Sequence, residues 1–133
     1  MVNTDVLSVL VIDDDPGVAM TTEWSLRHFG CKVKVTLQAG QGPELAQSLQ
    51  PHVILCDASM PDLSGEELIE LLKSNPATAH IPIVLMTGHS DAQRFSGVPF
   101  NGFVEKPFSP SKLFELLKRV AAGGDSEKVH ELC

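Results

Sequence analysis

Four short apolar runs in this 133-residue chain, each followed at once by a charged or hydroxyl side chain, constrain its fold more than any other feature. Val9-Leu10-Val11-Ile12 leads into Asp13-Asp14, Val53-Ile54-Leu55-Cys56 into Asp57, Ile83-Val84-Leu85-Met86 into Thr87, and Gly102-Phe103-Val104-Glu105 into Lys106. Runs this short and continuous read as buried strands of a parallel sheet. In an open α/β sheet ligands gather beyond the carboxyl ends of the strands. Three carboxylates, one hydroxyl and one ammonium are therefore expected to converge, a set suited to a divalent cation and a phosphoryl group.

Helical patterns separate the runs. Asp15-Pro16 reads as an N-cap followed by Pro at the first helical position, opening a helix to about Phe29. Val18, Thr22, Leu26 and Phe29 fall near helical spacing for its inner face, Gly30 stops it, and Trp24 reads as a packing or partly exposed residue. A second strand is expected over Val33 to Leu37 and a short helix over Pro43 to Gln50, ended by Pro51. Ser64 and Glu67 have capping-box spacing and open a helix that turns Leu68, Leu71 and Leu72 inward, closed by Asn75-Pro76. A short helix is expected near 89–95, before Gly97 and Pro99. Ser109-Pro110 caps a last helix with an apolar stripe of Leu113, Leu116, Leu117 and Val120, stopped by Gly123-Gly124. Alternating strands and helices with short connections imply a doubly wound α/β fold, a parallel sheet covered on both faces.

The chain is long enough for one domain with a single core. Its net charge of −7 argues against general attraction to nucleic acid or anionic membranes. Cys31, Cys56 and Cys133 fit no disulfide framework or metal-binding spacing, and no apolar stretch approaches the roughly 20 residues of a membrane span. A cytoplasmic protein without membrane insertion is expected.

Asp13, Asp14 and Asp57 would repel one another by about 4 kcal/mol per pair at roughly 4 Å and an effective dielectric near 20. Magnesium answers that repulsion best, since it prefers oxygen ligands and combines one or two carboxylates with phosphate oxygens. Asp57, at the end of a central strand, is the candidate nucleophile for aspartyl-phosphate chemistry. Lys106 is positioned to reach the phosphate as a point charge, and Thr87 to donate a hydroxyl to it.

From about Leu7 to Val120 the chain resembles the receiver domain of two-component response regulators. The resemblance is carried by Val11-Ile12-Asp13-Asp14-Asp15-Pro16, Leu55-Cys56-Asp57-Ala58-Ser59-Met60-Pro61-Asp62-Leu63-Ser64-Gly65, Val84-Leu85-Met86-Thr87-Gly88 and Phe103-Val104-Glu105-Lys106-Pro107-Phe108. It implies a flavodoxin-like (βα)5 fold, a five-stranded sheet in the order 2-1-3-4-5, and a cis bond before Pro107. It divides the chain into a receiver domain over 1–122 and a C-terminal tail or start of a linker over 123–133.

The resemblance also implies that Asp57 accepts phosphate from a phosphohistidine of a histidine kinase or His-phosphotransfer protein. Asp14, Asp57 and the Ser59 carbonyl would hold Mg2+ directly, with Asp13 acting through water. Thr87 and Lys106 would bind the phosphoryl oxygens. Thr87 and Phe103 would form the switch pair, Phe103 lacking the hydroxyl that many relatives carry as Tyr. Ser59 and His89 occupy the family's lifetime-tuning positions. The stretch from Thr87 to Lys106 is a few residues shorter than the family pattern, which resembles receivers attached to hybrid kinases. Because that stretch usually carries dimer or effector contacts, the family's ordinary dimer is not carried over, and a homodimer stays open.

The residues also admit two rival readings. In a haloacid dehalogenase-like phosphatase, Asp13 and Asp15 would form the Asp-x-Asp pair, but the Thr or Val of that pattern is missing at Gly17. The other rival is a receiver-like binding module whose output is independent of phosphate.

Overall fold

The computed structural model describes residues 6–58, 60, 63–88, 100–106, 108–123 and the backbone of 130 and 131. Its elements are β1 (Ser8–Ile12), α1 (Pro16–His28), β2 (Lys32–Thr36), a short 3-10 turn (Ala39–Gln41), α2 (Gly42–Leu49), β3 (Val53–Asp57), α3 (Gly65–Ser74), β4 (Ile83–Thr87), β5 (Gly102–Glu105), α4 (Pro110–Ala121) and β6 (His130–Glu131). The strands form one parallel sheet in the order β2-β1-β3-β4-β5-β6. The first five follow the expected 2-1-3-4-5 order. The two-residue β6 lies within the stretch read as a tail or linker, and adds to the outer edge of β5.

Side chains that alternate along the strands divide the core into two layers. Val9 and Val11 of β1, Val53 and Leu55 of β3, and Val84 and Met86 of β4 pack with Leu26 of α1 and with Leu113, Leu116, Leu117 and Val120 of α4. Leu10, Ile12, Ile54, Cys56, Ile83 and Leu85 face the other way, onto Ala46 of α2 and Leu68, Ile69 and Leu72 of α3. Every residue of β3 and β4 is buried, which explains why those strands read as unbroken apolar runs.

The caps locate the helices. Asp15 Oδ1 accepts hydrogen bonds from the Gly17 and Val18 amides, and Pro16 stands at the first turn of α1. At the far end Gly30 takes φ 91°, the Cys31 amide donates to Leu26 O, and the Gly30 amide donates to Arg27 O. This pair of bonds closes a helix through a left-handed glycine. Ser64 and Glu67 form the expected reciprocal capping box of α3.

Two side-chain expectations change and a third sharpens. The buried face of α1 is Ala19, Thr22, Ser25 and Leu26, so Val18 is only half-buried and Phe29 is exposed. Trp24, read as a packing or partly exposed residue, takes the exposed alternative, with 71% of its surface open and its ring stacked on His28. On α3, Leu71 is 49% exposed, because the buried stripe runs through Gly65, Leu68, Ile69 and Leu72 and Leu71 lies on its flank. In addition, β2 begins and ends one residue earlier than expected, leaving Leu37 exposed beyond it. The helix expected near 89–95, the bond before Pro107, and Ser59 and His89 lie outside the described residues. Among the described residues, no helix is long and apolar enough to cross a membrane.

Candidate functional site

The sheet register brings the strand ends to one edge. Ile12 pairs with Cys56, Asp57 with Met86, and Thr87 with Glu105, so the residues at and just beyond those positions share the same rim. Carboxylate oxygens of Asp13, Asp14 and Asp57 lie within 4.8 Å of one another. Lys106 Nζ donates to Asp57 Oδ1 at 3.3 Å and lies 4.0 Å from Asp13 Oδ2. Thr87 is buried at the end of β4, its hydroxyl donating to Val104 O across a long 3.5 Å. Asp13, Asp14, Asp57, Thr87 and Lys106 are thus gathered as expected.

The three carboxylates differ in environment. Asp13 is fully buried, Asp14 half-buried, and Asp57 keeps 7% of its surface at the rim. Asp13 Oδ1 accepts from the Asp15 amide at 3.0 Å, while Oδ2 is buried with no hydrogen-bond partner. Burial pushes the Asp13 carboxyl up from its ordinary 3.8 to about 6. The Asp15 amide opposes that rise, Asp57 adds to it, Lys106 opposes it and Asp14 adds slightly. An unpartnered buried anionic oxygen beside two further carboxylates is a donor set made only of hard oxygen atoms, and it fits magnesium. Among the described residues, Lys106 sets one positive charge against the three carboxylates.

Cys56 lies just behind Asp57, its thiol donating to Asp57 O at 3.3 Å. Burial, aided by the charges of Asp57 and Asp13, pushes that thiol far above its ordinary value and keeps it protonated. It is therefore no competing nucleophile. Asp15, the second acid of an Asp-x-Asp pair, is committed to capping α1, which removes the proton donor that a phosphatase reading needs.

Two positioning features were not legible from sequence. Gly65 lets the start of α3 approach Ala58, the residue after Asp57: the Gly65 amide donates to Ala58 O, and a Cβ on Gly65 would sit 3.1 Å from the Ala58 backbone. Phe108, with Asp15, Gly17, Val18, Thr21 and Thr22, lines an open depression between the start of α1 and the segment after Lys106. No local pattern signals either feature, because each depends on residues distant in sequence. Phe103 is half-buried, with its ring edge-on to Phe100 at 6.1 Å between centroids.

The family model described as the response regulator receiver domain matches residues 9–118. Among curated proteins, the chain is 29% identical over 118 residues to Protein PilG of Pseudomonas aeruginosa, covering 86% of this chain and 87% of that one. Among solved structures it resembles a response regulator from Desulfuromonas acetoxidans, with a TM-score of 0.77, 28% identity, and coverage of 87% of this chain and 97% of that one. It also matches the fold of the receiver domain of a sensor histidine kinase from Pseudomonas aeruginosa, solved with magnesium coordinated in the active-site cleft. That match has a TM-score of 0.82 at 22% identity, over 89% of this chain and 99% of the other.

Proposed function

The chain belongs to the response regulator receiver domain family, and from that premise we propose that it is a two-component phosphoacceptor that takes a phosphoryl group onto Asp57. The donor is a phosphohistidine of a histidine kinase or a His-phosphotransfer protein. A carboxylate oxygen of Asp57 attacks phosphorus, the P–N bond to the donor imidazole breaks, and the leaving imidazole takes up a proton. The observation that carries this reading is the placing of Lys106 Nζ 3.3 Å from the Asp57 carboxylate, at the rim of an otherwise acidic pocket.

In this reading Asp14, Asp57 and the Ser59 carbonyl would hold magnesium directly and Asp13 would hold it through water. When bound, the ion supplies positive charge that offsets the carboxylates and the incoming phosphoryl oxygens. Lys106 transfers its ion pair from the Asp57 carboxylate to a phosphoryl oxygen. Thr87 turns its hydroxyl from the long contact with Val104 O towards the phosphoryl group, and Phe103 moves into the space released. Chemistry is confined to Asp57: the domain promotes its own phosphorylation and dephosphorylation and acts on no other substrate. Ser59 and His89 tune the lifetime of the phosphorylated form. The protein works in the cytoplasm, by contact with its phosphodonor and without entering a membrane.

Acetyl phosphate with magnesium tests the assignment. Mass spectrometry is expected to find one added phosphoryl group on the peptide containing Asp57, abolished by Asp57→Asn and by chelation of magnesium. Labelling of Asp13 instead would establish the phosphatase alternative. Beryllofluoride with magnesium is expected to shift the backbone amides near Thr87 and Phe103; unchanged amides there would leave a phosphate-independent binding module.

A further inference from the structure

β5 ends the sheet order 2-1-3-4-5, and an edge strand presents a row of unpaired N–H and C=O groups that can template pairing with another chain. Here β6 lies against that edge, with Phe103 in register with His130 and Val104 with Glu131. Parallel strands need a crossover between them, and α4 supplies it, touching β3, β4, β5 and β6. Gly123, at φ 93° just past α4, turns the chain out of the helix. β6 thereby pairs with the two middle residues of a four-residue strand.

We propose that the outer edge of β5 is a docking site for an extended segment in parallel orientation, and that the chain's own His130–Glu131 is its resident occupant, excluding a second copy of the chain. The composition of the occupant suits this role. Glu131 puts a charge on the two-residue strand, and a short, charged strand at the margin of a sheet discourages further strands from adding. Pairing over two residues makes few hydrogen bonds, so the occupant is displaceable. The residues it covers belong to the strand that leads into Lys106.

Two measurements on the full chain test the proposal. In the unmodified protein, backbone nuclear Overhauser contacts are expected between residues 103–104 and 130–131, and their absence overturns it. In the double variant His130→Pro, Glu131→Pro, which cannot donate to β5, the β5 amides turned away from β4 are expected to lose hydrogen-exchange protection by about tenfold or more. Amides of β1 and β3 are expected to keep theirs, and sedimentation is expected to show a concentration-dependent dimer absent from the parent. Unchanged β5 protection in the variant overturns the occupancy. Lost protection in a variant that stays monomeric at every concentration overturns the exclusion of a second copy. Should the double variant fail to fold, the parent's contacts decide the occupancy and the single variant Glu131→Pro, opposite Val104, is read in the same way for the exclusion of a second copy.

Discussion

A buried carboxylate with one oxygen tied to an amide and the other without a donor is tolerated only beside positive charge, and Asp13 has Lys106 at the limit of ion-pair distance. Its folded-state value of about 6 lies above the ordinary 3.8, so the folded protein binds this proton more tightly than the unfolded chain does. Stability from this group is therefore fully present below about pH 4 and is lost as the pH rises through about 6. The loss is at most on the order of 3 kcal/mol. Asp13→Asn removes the titration. In urea melts without magnesium, its stability relative to the parent is expected to rise between pH 4 and pH 8. Added magnesium is expected to narrow the gap at pH 8, since the ion stabilises the parent's charged form. A difference that stays flat across this range would mean that Asp13 already has a partner for its charge.

At the scale of single elements, two helical glycines separate what local sequence can say from what it cannot. Gly17 sits in the first turn of α1, where an added Cβ would meet nothing closer than Asp15 Oδ1 at 3.4 Å. Gly65 begins α3 against backbone atoms of Ala58, which cannot rotate aside as a flexible side chain would. Gly17→Ala is expected to be neutral or stabilising by up to about 1 kcal/mol, whereas Gly65→Ala is expected to destabilise by about 1–3 kcal/mol. Chemical denaturation of both variants checks the contrast, and equal effects would refute the close approach of α3 to the end of β3. The caps at Asp15, Ser64 and Ser109 and the stripe on α4 were readable because each is a local pattern of fixed spacing. The inward faces of α1 and α3 were read less well. Leu71 and Phe29 are as apolar as their buried neighbours, and only the docking angle on the sheet turns them outward. The carboxylate cluster was legible because its members stand at, or within two residues of, the ends of apolar strands. β6 was not, since a strand of two polar residues is too short to leave a periodic signal.

Across the whole molecule, the two core layers share one set of strands, and this sharing determines how the protein unfolds. Leu117 of α4 belongs to one layer and Leu72 of α3 to the other, both fully buried. They never meet, yet β1, β3 and β4 place alternate side chains in both layers, so loss of either layer exposes one whole face of the same strands. Leu117→Ala and Leu72→Ala are each expected to cost about 2–5 kcal/mol, from lost transfer energy and the cavity left behind. Because the residues lie on opposite faces with no shared partner layer, the double variant is expected to lose close to the sum of the two. Each variant is also expected to melt in one transition, with far-UV circular dichroism and amide signals from α1 and α3 giving the same midpoint. The sole tryptophan is a poor probe for this purpose, since Trp24 is already largely exposed on the folded surface. Separate midpoints for α1 and α3 in the Leu117→Ala protein would mean that each layer folds on its own. The strand ends carrying Asp13, Asp57 and Thr87 would then no longer be held in register by both layers together.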